Sequence, residues 1–397
     1  MARDAAPGWQ PWRIGLFFAA YFAGVGVLAP YFPLYLEHRG LGGAQIGIVM
    51  AVAQGMRIFG PTAWGWLADR TTERERILQF ASVAAAVCFV PVLFPGGFGY
   101  LLLTMFAVHF FLTAQIPIVE AITATRLRGD AQAVRSYGRL RAWGSASFVV
   151  SVLAAGVLLD VSGVAVHPWL VVAVLAAAAL AARLVHDAPH EPHADARVSV
   201  GSLFAQPRVR WFFLSVLLMI FAHGALYTYF SLHLATLGYS KTAIGVFWVL
   251  GVVVEIGFFL AQGRVFARFD PFTLLAASFA LAALRFALIA EAAHVVALLV
   301  LAQALHAASF AVHHSASILL IQRWFHGRAT ARGQALYISI GYGVGGTAGS
   351  LLAAWMWTAL GASAAFLAGS VAALLGWLAV RRAQRHDAAH RAREAPA

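Results

Sequence analysis

Two charged side chains lie in the middle of long apolar stretches, where an ion is costly to bury. Arg57 and Glu255 have apolar sequence on both sides and are 198 residues apart. A charge at the centre of a bilayer costs at least ~2.5–3.5 kcal/mol on insertion scales, so such a residue faces a cavity or a partner. We therefore expect both residues to be functional, although a purely structural ion pair between helices would also explain them.

A second candidate pair is Glu120 and Arg141, which fall at the facing ends of consecutive predicted helices. The short connection makes these helices antiparallel neighbours, so the two side chains could pair. Arginine presents a planar fork that suits a carboxylate or paired hydroxyls. Phe148 lies seven residues after Arg141, on the same helical face, where its ring could stack on a substrate. We expect these three residues and Arg57 to bind substrate. The alternatives are that Arg141 is one more cation of a cytoplasmic loop and that Phe148 is a packing residue.

The C-terminal half contains a set of titratable side chains. His306 and His313 are seven residues apart on the tenth apolar stretch, and this spacing predicts that they share a face. With Arg285 and Glu255 on the two preceding stretches, they could form one titratable network. Histidine changes charge near neutral pH, and chains of acids and histidines in membranes are typical of proton relays. We therefore expect these four residues to couple transport to protons.

His223 and Tyr227 lie one helical turn apart on the seventh apolar stretch. A histidine within a membrane is more often a hydrogen-bonded packing residue than a ligand. Because these two polar rings share a face, we nevertheless include them among the candidates for substrate binding.

The sequence Gly65-Trp-Leu-Ala-Asp69-Arg70 follows the second apolar stretch. An aspartate at the end of a helix can cap the N-terminus of another helix, and such a contact would favour one conformation. We expect Gly65, Asp69 and Arg70 to form a conformational loop, and an ordinary charged turn is the alternative.

The composition indicates where these residues are placed. Of 397 residues, 61% are hydrophobic and 11% are charged, whereas a soluble domain carries about 25% charged residues. Most of the exterior must therefore face lipid. The net charge of +12 comes from arginines that lie between apolar stretches rather than on one solvated face, which argues against a nucleic-acid partner. The single cysteine, Cys88, excludes an intrachain disulfide.

We predict an all-α membrane protein with twelve spanning helices, since about 20 mainly apolar residues span a bilayer. The arginines crowd alternate loops and the outer loops carry only Arg39 and Lys241, which predicts that both termini are cytoplasmic. We expect no cleavable signal peptide. The predicted domains are an N-terminal bundle (1–186), a central loop (187–208), a C-terminal bundle (209–381) and a frayed tail (382–397). The predicted helices lie near 13–36, 44–67, 77–95, 98–124, 141–161, 167–186, 209–236, 242–263, 272–290, 294–322, 332–358 and 362–380.

The two halves repeat. A shift of 198 residues superposes Arg57 on Glu255, and it also aligns the run that begins at Tyr31-Phe32 with the run that begins at Tyr229-Phe230. A parallel duplication of six-helix units is typical of transporters that bind substrate near the midplane of the membrane. The sequence Gly341-Tyr-Gly343-Val-Gly345-Gly346 resembles a dinucleotide-binding pattern, but it lies within an apolar stretch with no strand before it. We read it instead as small residues that permit close helix packing.

No nucleotide-binding, metalloprotease or nucleophile motif is present, so we expect a transporter rather than an enzyme, with no cofactor and no metal. The residues quoted above resemble those of the major facilitator superfamily, most closely the proton symporters of the bacterial 3-phenylpropionate permease group and more distantly lactose permease. The similarity includes Gly65–Arg70, Val119-Glu120-Ala121, Gly138-Arg-x-Arg141 and the stretch from Trp248 to Glu255.

The resemblance implies two pseudo-symmetric six-helix bundles that work by alternating access. It matches Glu120 and Arg141 to the substrate-binding pair of lactose permease, and Glu255, Arg285 and His306 to its proton-coupling residues. This chain has Ser309 where that permease has a glutamate central to proton exchange, and Phe148 where that permease stacks sugar on tryptophan. Both differences weaken the sugar interpretation and relocate the proton carrier.

We therefore expect a monomeric transporter of the bacterial inner membrane that imports a small aromatic carboxylate with protons, driven by the proton gradient. A proton-coupled sugar or nucleoside symporter and a proton-driven exporter remain as alternatives. A membrane-embedded enzyme is the remote alternative.

Overall fold

Long α-helices make up nearly all of the computed structural model, which describes residues 10–127, 132–188 and 201–394. Twelve long helices and no strand occur in these ranges, and a short helical turn, Gly201–Ala205, precedes the seventh. The predicted fold class is confirmed. The helices are α1 Pro11–His38, α2 Gly43–Asp69, α3 Arg74–Leu93, α4 Phe98–Arg126, α5 Ala133–Ser162, α6 Val164–Ala182, α7 Pro207–Thr236, α8 Lys241–Phe266, α9 Pro271–Ala292, α10 Val296–Trp324, α11 328–360 and α12 Ala362–Glu394.

The helices have the length and hydropathy of membrane spans. Within the described residues, eleven of them are long and apolar enough to cross a bilayer, and the remaining one is the glycine-rich α11. Large apolar side chains are also turned outward, including Leu260 with 83% of its surface exposed, Val161 with 82% and Leu103 with 72%. Exposed apolar surface on this scale marks an exterior that meets something other than water.

The chain divides into two compact units. They differ from the two halves of the sequence repeat in the first part of α2, which belongs to the second unit. The first unit contains Met1–His38 and Phe59–Asp195, and the second contains Arg39–Ile58 and Ala196–Ala397. The first half of α2 therefore packs with the second unit. There the Tyr229 hydroxyl donates to the Gly43 carbonyl oxygen (2.7 Å). Arg57 lies in this stretch and consequently has its neighbours in the second unit.

The repeat seen in the sequence is also a repeat of helix boundaries. Under the shift of 198 residues, the end of α1 falls on the end of α7, and the starts of α2 and α4 fall on the starts of α8 and α10. The ends of α4 and α5 fall on the ends of α10 and α11. No net insertion or deletion separates these landmarks, so the two halves keep one register from their first helix to their fifth.

Two pairs of glycines hold the turns of this repeat. Gly40 ends the turn after α1 with φ +80°, and Gly238 does the same after α7 with φ +85°. Side chains with a Cβ atom rarely adopt this left-handed conformation. The pair Gly163 and Gly361 repeats the arrangement after α5 and α11, with φ +80° and +89°. These conformations explain why glycine recurs at the aligned positions.

The two halves differ in the continuity of their helices. In the second unit α7 is broken at His223, α10 contains the π-helical segment Ala308–Val312, and α11 contains the π-helical segment Tyr337–Gly345. The corresponding α1, α4 and α5 of the first half are continuous α-helices. Because π segments often occur at functional sites, these interruptions direct attention to the second unit.

The glycines of α11 permit close helix packing, as predicted. A Cβ atom on Gly343 would lie 2.8 Å from the Ile58 side chain and 3.0 Å from its backbone, and one on Gly345 would lie 2.5 Å from the Leu217 carbonyl oxygen. Only a hydrogen fits at these positions. The sequence in α11 is thus a packing surface of the second unit.

A buried aspartate lies after α6 in the first half and near the end of α12 in the second half. Asp187, after α6, accepts hydrogen bonds of 2.7 and 3.0 Å from Arg74. Asp387, on α12, accepts from Arg208 (3.1 Å) and Trp324 (3.0 Å), and its side chain is 1% exposed. The expectation of a frayed tail from Arg381 is therefore wrong, because α12 continues to Glu394 and is anchored through Asp387.

Candidate functional site

The first unit brings Glu120 and Arg141 to neighbouring positions without pairing them. Helix α5 begins at Ala133, earlier than predicted, so Tyr137 and Arg141 lie one turn apart on the same face. The Tyr137 hydroxyl donates to Oε1 of Glu120 (3.1 Å), and Tyr137 is within electrostatic range of both charged groups. Glu120 and Arg141 make no ion pair in the described residues. In place of the expected direct pair, Tyr137 interacts with both the Glu120 carboxylate and the Arg141 guanidinium.

The guanidinium of Arg141 is bounded by aromatic rings from α1. Its Cζ atom lies 4.6 Å from the centroid of the Phe22 ring and 5.3 Å from that of Phe18. Its Nη1 atom is buried, with no hydrogen-bond partner among the described residues. Cation–π contacts hold a guanidinium without consuming its N–H donors. Arg141 therefore presents a positioned cation with a donor left for an anion or a hydroxyl.

Phe148 lies farther along α5 and is half-buried. Its carbonyl oxygen accepts a hydrogen bond from the Ser151 hydroxyl (3.0 Å) and lies against α1 at Gly26. These contacts place the backbone of Phe148 at the packing of α5 on α1. The stacking role expected for its ring stays a prediction.

The predicted conformational loop lies at the end of α2. The Cζ atom of Arg70 is 3.9 Å from the Trp66 ring centroid, so the arginine covers the last turn of its own helix. A Cβ atom on Gly65 would meet no neighbour within 4 Å. The side chain of Asp69 lies outside the described residues. The capping role of this loop stays a prediction.

The second unit contains a polar cluster centred on Arg285, which is 1% exposed. Its Nε donates to the Ala302 carbonyl oxygen (3.0 Å) and its Nη1 donates to the Ser309 hydroxyl (3.1 Å). The same Nη1 lies 3.3 Å from Nε2 of His223. Neutral groups of α7 and α10 thus bind this cation. One of them is Ser309, which stands where lactose permease has a glutamate.

The hydrogen bonds of His223 determine its tautomer. Its Nδ1 lies 2.8 Å from the Met219 carbonyl oxygen, so Nδ1 carries the proton and Nε2 accepts from Arg285. The ring stacks on Tyr227 with centroids 5.8 Å apart, and Tyr227 in turn stacks on Trp248 at 6.4 Å. The break in α7 at His223 turns this ring toward Arg285. The structure therefore places His223 in the polar cluster and Tyr227 beside it.

Glu255 and His306 meet across α8 and α10. Oε2 of Glu255 lies 3.6 Å from Nε2 of His306, and the Glu255 side chain is 17% exposed. The His306 ring stacks on Phe310 with centroids 5.3 Å apart and packs on Gly251, where a Cβ atom would lie 3.1 Å from Cδ2 of His306. The His306 ring is 6.3 Å from that of His223. These contacts join the acid to the Arg285 cluster through two imidazoles.

The expectation that His306 and His313 share a face is wrong, and the π segment of α10 is the reason. Ala308–Val312 takes one residue more per turn than an α-helix. The residue that shares a face with His306 is therefore eight positions away, His314, rather than His313. His313 instead packs edge-on against Phe279, with ring centroids 5.6 Å apart. Glu255 is within electrostatic range of His314.

Arg57 joins the second unit through tyrosines of α11. Its side chain is exposed, and its Cζ atom lies 5.4 Å from the centroid of the Tyr342 ring. Both Tyr342 and Tyr227 are within electrostatic range of Arg57 and of Glu255. The two charges that are aligned by the sequence repeat therefore act on the same pair of tyrosines.

Sequence reasoning missed several residues of these clusters, namely Phe18, Phe22, Tyr137, His314, Tyr337 and Tyr342. The tyrosines and His314 had a detectable signal, because each is a polar side chain inside an apolar stretch. The phenylalanines had none. In the described residues no group of three His, Cys, Asp or Glu side chains could hold a metal ion. The arrangement can bind an anion and exchange protons.

Comparison with known proteins identifies the class. The model of the family described as "MFS_1 like family" matches residues 11–368. The chain belongs to this family. It is accordingly a secondary transporter of the major facilitator type and a multi-pass membrane protein, not an enzyme, and the resemblance in the sequence is confirmed.

The chain is similar to named transporters and to solved transporter structures over most of its length. It is 26% identical over 338 residues to the probable 3-phenylpropionic acid transporter of Escherichia coli (strain K12), covering 83% of this chain and 86% of that one. It is 30% identical over 262 residues to the maltose permease of Geobacillus stearothermophilus, covering 66% of each chain. The crystal structure of the nucleoside transporter NupG has a TM-score of 0.80 at 18% identity and covers 94% of this chain and 98% of that one. This last likeness supports the fold alone.

Proposed function

We propose that this transporter imports a small aromatic carboxylate together with a proton. The observation that carries the proposal is the environment of Arg141. A cation is held there against the rings of Phe22 and Phe18, with a buried N–H donor that has no partner among the described residues. A ligand with a carboxylate next to an aromatic ring complements this arrangement, because the guanidinium binds the carboxylate and the half-buried ring of Phe22 packs on the aromatic ring of the ligand.

The balance of charge in the interior also favours an anion. The candidate site residues include three arginines (Arg57, Arg141 and Arg285) and two acids (Glu120 and Glu255). None of these arginines makes an ion pair with either acid in the described residues. Since an uncompensated charge is costly in a membrane, an anionic substrate would supply the missing negative charge. The similarity to the probable 3-phenylpropionic acid transporter supports the same class.

Glu255 is the residue that we propose as the proton carrier. It lies in the second unit, against His306 and near the Arg285 cluster, where Ser309 replaces the acid of lactose permease. A carboxyl group within a membrane is stable only when it is protonated or paired. Exchange between these two states is what coupling to a proton requires. The proton gradient would be the energy source, with no other cofactor, and the substrate and the proton would move in the same direction.

The arginine asymmetry of the loops supports a bacterial inner-membrane location with both termini in the cytoplasm. We propose a monomer as the working form. A proton-coupled sugar or nucleoside symporter is the alternative. Two observations favour this alternative. The Glu120 carboxylate accepts a hydrogen bond from the Tyr137 hydroxyl at 3.1 Å, and such a carboxylate also suits the hydroxyls of a sugar. The chain is also similar to a maltose permease.

Uptake into proteoliposomes tests the proposal. Purified protein would be supplied with radiolabelled 3-phenylpropionate, benzoate, maltose or uridine, with and without an imposed pH gradient. We expect accumulation of 3-phenylpropionate that a protonophore abolishes. Accumulation of maltose or uridine in place of both acids would establish the alternative, and outward movement against the gradient would indicate an exporter.

A further inference from the structure

The π segment of α10 gives Glu255 two imidazole neighbours on one helix. His306 and His314 bracket Ala308–Val312, and the extra residue in that segment returns them to the same face. Because the π segment takes up one extra residue, the eight positions from His306 to His314 correspond to seven residues of α-helix. Seven residues of α-helix rise by about 10 Å along the axis. Glu255 contacts His306 at 3.6 Å and is within electrostatic range of His314. Both imidazoles therefore act on the same acid.

Tyr337 holds His314 in place. Nδ1 of His314 lies 3.2 Å from the Tyr337 hydroxyl, and the two rings are 5.5 Å apart. Tyr337 is 1% exposed and is the first residue of the π segment of α11. A histidine whose Nδ1 is engaged by a fixed hydroxyl has its Nε2 in a defined orientation. Both π segments of the described chain therefore contribute to the environment of this one imidazole.

The titratable and charged groups of other helices define the electrostatics of Glu255. His306 and His314 of α10, Tyr227 of α7 and Tyr342 of α11 act on it directly. Four further groups act on these neighbours, namely Arg285 of α9, His223 of α7, Arg57 of α2 and Tyr337 of α11. Glu255 is the acid of this set, and His314 is separated from the hydrogen bonds that bind Arg285. His306 lies within electrostatic range of Arg285. The two histidines thus offer the acid unlike environments.

We propose that His314, positioned by Tyr337, is a second proton-exchange partner of Glu255, an inference that rests on the proposed proton coupling. In the required tautomer, Nδ1–H of His314 donates to the Tyr337 oxygen and the lone pair of Nε2 is open. The protonated Glu255 carboxyl rotates toward His314 and transfers its proton to Nε2, which leaves a carboxylate and an imidazolium. The imidazolium then releases that proton to water and returns to the neutral ring. The Glu255 carboxylate then returns to His306 and is protonated again by a second proton, which enters from water on the uptake side.

The path by which a proton would leave His314 runs between α8 and α10, toward the end of α8. Ser315, next to His314, donates its hydroxyl to Oε1 of Gln262 (2.9 Å), two turns after Glu255 on α8. Polar groups at these positions can relay a proton away from His314. His306 instead adjoins the Arg285 cluster: the His223 ring is 6.3 Å away, and the Ser309 hydroxyl donates to the His306 carbonyl oxygen (3.2 Å). Because Ser315 and Gln262 lie beyond His314 and the Arg285 cluster lies beside His306, we assign uptake to the His306 side and release to the His314 side.

Two substitutions test the inference in proteoliposomes that carry the whole protein. His314→Gln removes the titratable ring, and Tyr337→Phe removes the positioning hydroxyl and keeps the aromatic ring. The matched controls are His294→Gln, at an exposed position between α9 and α10, and Tyr239→Phe, whose hydroxyl donates to the Ala293 carbonyl oxygen far from the cluster. Accumulation of 3-phenylpropionate under a pH gradient is measured over a series of internal pH values and divided by the rate of exchange between equal pools.

We expect His314→Gln to lower this ratio by about 100-fold, the low end of what a positioned acid–base group contributes. We expect Tyr337→Phe to move the pH dependence of the ratio with a smaller loss, a change that a merely structural residue would not cause. A second readout needs no substrate. The infrared band of the protonated Glu255 carboxyl, identified by its loss in Glu255→Gln, should titrate at a different pH in His314→Gln and Tyr337→Phe but not in the controls.

The outcomes separate this inference from the proposed function. If the wild-type protein transports 3-phenylpropionate without using the pH gradient, proton coupling fails and the role of His314 fails with it. If the wild-type protein couples and the two variants keep its ratio, its pH dependence and its infrared titration, the role of His314 alone is overturned.

Discussion

Oε2 of Glu255 lies 3.6 Å from Nε2 of His306, and this contact joins α8 to α10 inside the second unit. A separation of this size permits either a weak ion pair or a neutral acid next to a neutral imidazole. In a region where a lone charge would be costly, a neutral acid beside a neutral imidazole avoids that cost.

Replacing Glu255 by glutamine should abolish uphill transport. Glutamine imitates the protonated acid and cannot release a proton, so accumulation driven by a pH gradient should be lost while exchange between equal pools falls far less. Uptake in proteoliposomes measures both. Glu291→Gln, at an exposed position near the end of α9, is the matched control. Retained uphill accumulation in Glu255→Gln would show that Glu120 or a histidine carries the proton.

Replacing Arg141 by alanine should weaken substrate binding while the protein stays folded and inserted. A hydrogen bond to a charged group contributes about 1.5–3 kcal/mol, so we expect affinity for 3-phenylpropionate to fall by about tenfold to 150-fold. Arg141→Lys should recover little, because an ammonium group lacks the planar fork. Arg139→Ala, at an exposed position two residues away, is the control. Equal affinity in the Arg141 and Arg139 variants would remove Arg141 from the site.

Tyr137→Phe distinguishes the two substrate classes. The change removes the hydroxyl that binds Glu120 at 3.1 Å and frees the carboxylate. Because this carboxylate would repel a carboxylate substrate, the KM for 3-phenylpropionate should rise by a few-fold, in line with a net hydrogen-bond contribution of about 0.5–1.5 kcal/mol. A lower KM for maltose in the same variant would favour the sugar alternative. Tyr100→Phe, outside the cluster, serves as the comparison.

Two glycines should respond to alanine with opposite signs. A Cβ atom on Gly343 would press on Ile58 at 2.8–3.0 Å, whereas one on Gly257 of α8 would meet nothing within 4 Å. Overpacking costs about 1–3 kcal/mol, so Gly343→Ala should lower the Tm in detergent. Gly257→Ala should raise it slightly, since glycine inside a helix is destabilising by about 0.5–1 kcal/mol. Equal Tm values for the two variants would contradict the packing described for α11.

The sequence was sufficient for the twelve helices, because spans of 20 apolar residues need no tertiary information to be recognised. It also identified Glu255, Arg285 and His306, since a charged or titratable side chain in such a span is conspicuous. The face that each residue occupies was harder to predict. His313 was placed beside His306 by regular helical spacing, and no pattern in Ala308–Val312 indicates the π segment that brings His314 there instead.

The environment of Arg141 could not be predicted for a different reason. Its neighbours Phe18 and Phe22 belong to α1, more than one hundred positions earlier in the chain. In an apolar helix one phenylalanine is indistinguishable from the next until the packing is known. Tyr137 was within reach of sequence reasoning, as it lies one turn from Arg141, but a direct pairing of Glu120 with Arg141 was the simpler expectation.

The anchored end of α12 has a consequence for protein engineering. Asp387 is bound by Arg208 and Trp324, so the last turns of this helix are tied to the beginning of α7 and the end of α10. A chain trimmed at Arg381 would leave Arg208 without its carboxylate partner, and breaking a buried pair costs about 3–5 kcal/mol. Affinity tags and fluorescent fusions therefore belong after Glu394. A chain shortened to the end of the last apolar stretch should express poorly.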